Sequence, residues 1–306
     1  MKRNRRLRIV FSMLAMGVLA GCAKDPASVD INADDEAIRQ LVEENQDYIA
    51  SVGIDDDGAQ PVSYIYNGLG KIDAEITPLK FGRRGTFKME HLSVDYEGDL
   101  AIATVQFSFN GNFFIVARDT TDSVSVGKLY KKEMENSIIR RVIFKKIANT
   151  DNPKRNWRMR RVSGSVTKSP GTNLAFDWIK VAASDGREWT IDEPLSFITD
   201  LDSIPLLNPG EIVKLTVKLN ETSSRPDTLV LRYRTNRMHR ARKAFQDNGE
   251  GVDDVANDGI YTGQWTVGQR RGIFHAFADA FDAGSIKDDT TPYNALAWGF
   301  PYIVKR

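Results

Sequence analysis

The most constraining feature of this chain is alternation. Ala101, Ala103, Val105, Phe107 and Phe109 alternate with Ile102, Thr104, Gln106, Ser108 and Asn110, and Val213, Leu215, Val217 and Leu219 alternate with Lys214, Thr216 and Lys218. Side chains of a strand point to opposite faces in turn, so this pattern predicts β-strands with one buried face. Leu92, Val94 and Tyr96 alternate as well, and Glu97-Gly98-Asp99 turns the chain, which predicts a hairpin. Gly111 suggests a bulge or bend before Phe113–Ala117. Residues 138–147 and 157–162 are further strand segments, whereas 131–137 reads as strand or as helix. From Asp34 to Val52 the period is helical, with apolar Ile38, Leu41, Val42, Tyr48, Ile49 and Val52 and Asn45 as the polar exception. Asn32 or Asp34 can cap that helix, and Gly53 can end it.

The N-terminus follows a different logic. Lys2, Arg3, Arg5, Arg6 and Arg8 precede a 12-residue apolar run, Ile9–Ala20. As a helix that run is about 18 Å long, too short for a hydrocarbon core of about 30 Å, but suited to the apolar region of a secretory signal. It ends in Leu19-Ala20-Gly21-Cys22, which resembles the lipobox of bacterial lipoproteins. The resemblance implies cleavage between Gly21 and Cys22, with the Cys22 thiol carrying diacylglycerol and palmitate. Ala23 and Lys24 follow where an Asp would imply retention in the inner membrane, so the outer membrane is the implied location, on its periplasmic or its surface side. Cys22 is the only cysteine, which excludes an internal disulfide. The five leader bases belong to a total of 42 against 41 acids; the chain after residue 21 therefore holds 37 bases and carries a net charge of −4. Export and that charge argue against nucleic acid as a partner.

The helix Asp34–Val52, the segment Val94–Val105 and the closing Asn156–Ser163, with Trp157 at a strand start, resemble the nuclear transport factor two-like superfamily. That implies a cone-like α+β domain, a helix packed on a curled antiparallel sheet. Beyond it, Leu229, Leu231 and Tyr233 alternate and Ile273–Phe281 and Trp298–Val304 read as strands. This second half resembles cysteine-free Ig-like modules and implies an all-β Ig-like sandwich. The expected organisation is a signal peptide over 1–21, a tether over 22–33, the cone-like domain over 34–163, a Ser/Gly/Pro-rich linker over 164–173 and the sandwich over 174–306.

Candidate chemistry is sparse. In the cone-like domain His91 and Asp95 are the acid/base candidates, and Tyr64, Tyr66, Phe107, Phe109, Phe113 and Trp157 would line a pocket or simply form core. The segment Asp247–Thr262 resembles a recurrent loop of bacterial Ig-like modules. Asp247, Asp253, Asp254 and Asp258 are its calcium candidates, because Ca²⁺ takes 6–8 oxygen ligands. Loop positions 3 and 5, counted from Asp247, are Gly249 and Gly251, so it is not an EF-hand; the other reading is a loop whose carboxylates bond their own backbone. Two basic stretches, 128–161 and 232–243, suit either anionic lipids and glycans or ordinary solvated strand faces. No Gly-x-Ser-x-Gly, phosphate-binding loop or His-Glu-x-x-His motif is present.

These features predict a membrane-anchored envelope lipoprotein, a non-enzymatic binding or structural accessory. It would need no cofactor and would meet membrane lipid through acylated Cys22 and other envelope proteins or anionic glycans through its body. The alternatives are a small-molecule-binding protein or enzyme using the cone pocket, and a calcium-stabilised adhesion module.

Overall fold

The structure, a computed structural model, describes residues 32–49, 54, 76–119, 127–196, 204–220, 223, 228–234 and 240–305. It starts with α1 (Ala33–Glu44) and α2 (Gln46–Ile49), which are separated at Asn45. The Asn45 side-chain amide donates to the Leu41 carbonyl at 2.7 Å, and such a local bond competes with the helical ladder. Ala37, Ile38 and Val42 form the buried stripe of α1.

Two long strands follow, β1 (Ile76–Glu97) and β2 (Leu100–Asp119), joined through Gly98 and Asp99. Gly98 has φ 60°, which glycine adopts without a Cβ penalty. The odd-numbered residues Ala101 to Phe109 are buried, and Phe113, Ile115 and Ala117 extend the pattern. Gly111 does not end the strand. It lies opposite Gly85, and a Cβ on Gly111 would sit 2.3 Å from the Arg84 carbonyl oxygen. Only a glycine permits that approach. At the same point β2 changes partner: β3 (Lys128–Met134) pairs with Gly111–Ala117, and β4 (Ser137–Lys146) pairs with Leu100–Ser108. The segment that read as strand or helix is therefore strand β3, a two-residue link and the start of β4.

Next come α3 (Pro153–Asn156), β5 (Trp157–Lys168), β6 (Phe176–Ala183), β7 (Glu188–Ile191), β8 (Leu206–Leu207), β9 (Ile212–Leu219), β10 (Thr228–Arg234) and β11 (Arg240–Ala244). The chain closes with β12 (Ile260–Thr266), β13 (Gly272–Phe281), α4 (Ala283–Lys287) and β14 (Ala295–Val304). Among the described residues the strands form two sheets. The large one runs β1-β2-β4-β5-β14-β13-β10-β11, with β3 on β2 and β8 on β14; the small one runs β12-β9-β6-β7. Every pairing is antiparallel except that of β8 with β14.

These findings correct the expected fold class. The chain is largely β, in two sheets, and is neither an α+β cone with a helix packed on a sheet nor such a cone followed by an Ig-like sandwich. Among the described residues its helices run to 12 residues at most. The segment expected as a linker, 164–173, begins inside β5, where Ser165–Lys168 pair with Leu296–Gly299 of β14. All the elements belong to one unit, Ala33–Arg306.

The physical reason lies in β13 and β14. Nearly every residue of both strands is buried. Phe277, Phe281, Ala295 and Ala297 enter one core with the β1–β2 hairpin and α1. Ala276, Ala278, Ala280, Leu296, Trp298 and Phe300 enter the other core with the small sheet. A strand buried on both faces shows a continuous apolar run, not alternation.

A buried ion network fastens the hairpin to this shared wall. Arg83 of β1 donates from Nη1 and Nη2 to the two carboxylate oxygens of Asp279 on β13, at 2.7 and 2.8 Å. Arg232 of β10 donates from Nε to Asp279 Oδ2 at 2.5 Å. Arg83 Nε donates to the Tyr293 hydroxyl at 2.7 Å, and its guanidinium lies 4.4 Å from the Phe281 ring centroid. Burial, with the Asp279 charge adding to it, pushes the Tyr293 hydroxyl up to about 12, so it stays protonated. Removing one member of a buried ion pair leaves charge without compensation and costs about 3–5 kcal/mol. Asp279→Ala should therefore destabilise the chain by about that amount, read as a lowered urea midpoint; an unchanged midpoint would deny the network its structural role.

Candidate functional site

Gly21, Cys22 and the tether up to residue 31 lie outside the described residues, as do Tyr64 and Tyr66. His91 and Asp95 are both exposed, on the outer face of β1, opposite Gln106 and Ile102. Phe107, Phe109, Phe113 and Trp157 are buried in the core on the other side. Phe109 stacks on Phe87 at 4.1 Å, and Phe113 packs between Phe81, Phe281 and Tyr293 at 5.2–5.7 Å. The acid/base candidates and the aromatic wall are thus on opposite faces of one sheet, and the structure does not bring them together.

Three of the four acidic loop residues accept amides of their own segment, and the fourth pairs with β9. Asp247 is buried and accepts from the Asp258 amide at 3.1 Å. Asp253 accepts from the Gly249 amide at 2.7 Å, and Asp258 from the Ile260 amide at 2.8 Å. Asp254 pairs with Lys214 at the surface, at 3.1 Å. Gly249, Gly251, Asn257 and Gly259 all have positive φ, the backbone such a tight path requires. Burial, reinforced by the Asp258 and Asp253 charges, raises the Asp247 carboxyl above the ordinary range. Among the described residues no group of three or more His, Cys, Asp or Glu is placed to hold a metal ion.

The two basic stretches divide by side. Arg140, Lys132 and Arg232 are buried, at 1%, 7% and 3% exposure. Arg140 Nη1 donates to the Ile49 carbonyl at 2.9 Å and lies 3.4 Å from His275 Nε2. Lys132 Nζ donates to the carbonyls of Gly284 and Ser285, at 2.7 and 3.0 Å, and to that of Asp288. It thereby caps the C-terminal end of α4, where unpaired carbonyls favour a cation. Burial lowers the Lys132 amine, against the pull of Asp288, Asp282 and Asp289. With Asp279 and its two guanidiniums, these groups form a buried polar seam between the hairpin and the C-terminal strands. Sequence reasoning missed the seam. Its one local signal was a base at each inward position of an alternating strand, Lys132 between Tyr130 and Met134, and Arg140 between Ile138 and Val142.

Other members of the same stretch face outward: Arg141 and Lys145 on β4, and Arg158, Arg160 and Arg161 on β5, are exposed. Lys145 lies opposite Arg158 and Ile143 opposite Arg161. Between those pairs the register slips, because Met159 faces Phe144 and Arg160 is the extra residue. A bulge re-aims side chains, and here it leaves two consecutive arginines on the solvent side while Met159 and Val162 pack on the core.

The described body begins at the same end of these two strands, on their other face. Asp34, in the first turn of α1, accepts from Lys146 Nζ at 3.0 Å and from Trp157 Nε1 at 2.9 Å. Lys146 and Trp157 are themselves paired across β4 and β5. Burial would raise the Asp34 carboxyl, but these two bonds and the Lys146 charge outweigh it and hold the group below its ordinary value. Tyr96 donates to Asp35 at 2.7 Å. Burial, with the Asp35 carboxylate as acceptor, pushes that phenol far above its usual range.

Comparison with known protein families, curated proteins and solved structures found no match for this chain. Among the described residues no helix is long and apolar enough to cross a membrane.

Two predictions follow from the loop and the entry point. Asp247→Ala removes the buried acceptor of the part-buried Asp258 amide and should cost about 1 kcal/mol, while millimolar Ca²⁺ should leave the wild-type melting temperature unchanged. A calcium-dependent rise would instead identify a ligand held by the native state. For Asp34 the folded value is depressed, so its stabilisation is complete above the ordinary value of about 3.9 and is lost as pH falls through the folded one. Acid titration of wild type should thus show a stability loss below about pH 4 that Asp34→Asn lacks; matching curves would refute the role of this contact.

Proposed function

We propose that this chain is a lipid-anchored protein of the bacterial cell envelope, held in the outer membrane through acylated Cys22, whose β body serves as a non-enzymatic binding or structural module. The observation that carries this reading is the coincidence of a basic start, a short apolar run and Leu19-Ala20-Gly21-Cys22, followed by a polar stretch. The body supports it in two ways. It begins at Ala33, so ten residues separate it from Cys22, a reach of at most about 36 Å. Its buried ionisable groups, Arg83, Asp279, Arg232 and Lys132, make internal ties. Each acyl methylene buried in a bilayer contributes about 0.8 kcal/mol, so two or three chains anchor a protein without any span. The experiment is metabolic labelling with palmitate followed by membrane fractionation. Wild type should label and sediment with membranes; Cys22→Ser should do neither. Membrane attachment that survives in Cys22→Ser overturns the reading.

A further inference from the structure

We propose that the exposed basic face of β4 and β5, formed by Arg141, Lys145, Arg158, Arg160 and Arg161, docks on the anionic phospholipid headgroups of the membrane that holds the anchor. This inference rests on the anchored reading above.

Three observations carry it. The first is charge. Five cations share one exposed face, and the bulge at Arg160 adds one that a regular strand would turn inward. The acids of the β1–β2 hairpin do not balance it: Asp99 pairs with Lys145 alone, at 3.3 Å, while Asp95 and Glu97 lie on β1, with β2 between them and β4. Glu44 is paired with Lys154. The second is place. The tether joins the body at α1, and Asp34 holds that end of α1 to Lys146 and Trp157, the last residue of β4 and the first of β5, at the strand end that carries Lys145 and Arg158 on its other face; the ten residues between Cys22 and Ala33 reach at most about 36 Å and can round that edge. The third is composition. The face between the bases is formed by Ile102, Thr104, Ile139 and Ile143, none of them exposed, so the long basic side chains stand as its outermost groups. A base near an anionic bilayer surface adds about 1 kcal/mol of binding, about a fivefold effect, and the anchor keeps the patch within reach of that surface.

The test compares the acylated full chain with Arg158→Gln/Arg160→Gln/Arg161→Gln. Partition is measured on vesicles of phosphatidylcholine alone and of phosphatidylcholine with phosphatidylglycerol. The gain in partition due to phosphatidylglycerol should fall by on the order of 100-fold in the triple variant, and raised salt should abolish it in wild type. The same loss of charge in Arg270→Gln/Arg271→Gln/Lys305→Gln, exposed elsewhere, should leave the gain intact. If the triple variant fails to fold, as judged by circular dichroism, Arg141→Gln/Lys145→Gln on β4 should lower the gain by about 25-fold. An undiminished gain in the folded variants overturns the proposal. So does a variant that loses binding to a soluble anionic polysaccharide while its phosphatidylglycerol gain persists, which would assign the patch to glycan. Palmitate labelling separates the two readings: an unlabelled wild-type chain refutes the anchor, whereas a labelled chain with no phosphatidylglycerol gain refutes only the docking face.

Discussion

A single carboxylate fixes the way this chain comes together. Asp279 on β13 receives both arms of Arg83 from β1 and Nε of Arg232 from β10, and its side chain has no exposure to solvent. Arg83 and Asp279 are 196 residues apart in sequence. Charges taken out of water this far recover their desolvation cost only when both partners are in place with good geometry. The hairpin and the C-terminal strands therefore form one interior. The aromatic groups around the pair follow from that demand: Phe281 and Tyr293 flank the guanidinium at 4.4 and 5.4 Å, and the Tyr293 hydroxyl takes the bond from Arg83 Nε.

What the sequence made legible is what period two carries. The buried side of β2 and of β9, the turn at Gly98-Asp99 and the start of the first helix can all be read locally. The partition into domains cannot, because it depends on β5 meeting β14 and on Arg83 meeting Asp279, and no local pattern encodes either pairing. One sign was available. Ile273–Phe281 and Ala295–Val304 do not alternate, and a continuous apolar run in a strand means two buried faces and so two cores sharing one wall. The same lesson applies to 164–169. Its Gly and Ser residues look like a flexible connection, yet a Cβ on Gly164 would lie 2.4 Å from the Gly299 carbonyl oxygen and 2.5 Å from that of Pro194. Ser163, Ser165 and Ser169 are buried. These residues are small because backbones pass close there.

The candidate site was legible only in part, for a related reason. His91 and Asp95 were singled out by type, but the parity that puts Leu92 and Val94 against the core sends His91 and Asp95 to the outside. The acidic loop presented a ligand-like composition, and two of its carboxylates, Asp247 and Asp253, receive amides of the loop's own positive-φ path. Cys22 is the reverse case: its assignment rests on sequence alone, since it lies outside the described residues.

Arginine and lysine take opposite parts on the same strands, and in that way a chain with a net charge of −4 after residue 21 can still present a face of positive sign. Parity buries Arg140 and Lys132 and exposes Arg141 and Lys131. At physiological ionic strength the Debye length is about 8 Å, so a surface responds to the charges directly facing it and not to the sum over the molecule. A run of mixed sign and moderate net charge is thus sorted by the pleat into an interior that holds charge for cohesion and an exterior face of one sign. The bulge at Arg160 sharpens that sorting, because a regular strand would have placed either Arg160 or Arg161 against Met159 and Val162, at the cost of burying a cation among apolar groups. The extra residue avoids that cost, and its consequence is the densest outward positive charge on β5, with Arg158, Arg160 and Arg161 all exposed.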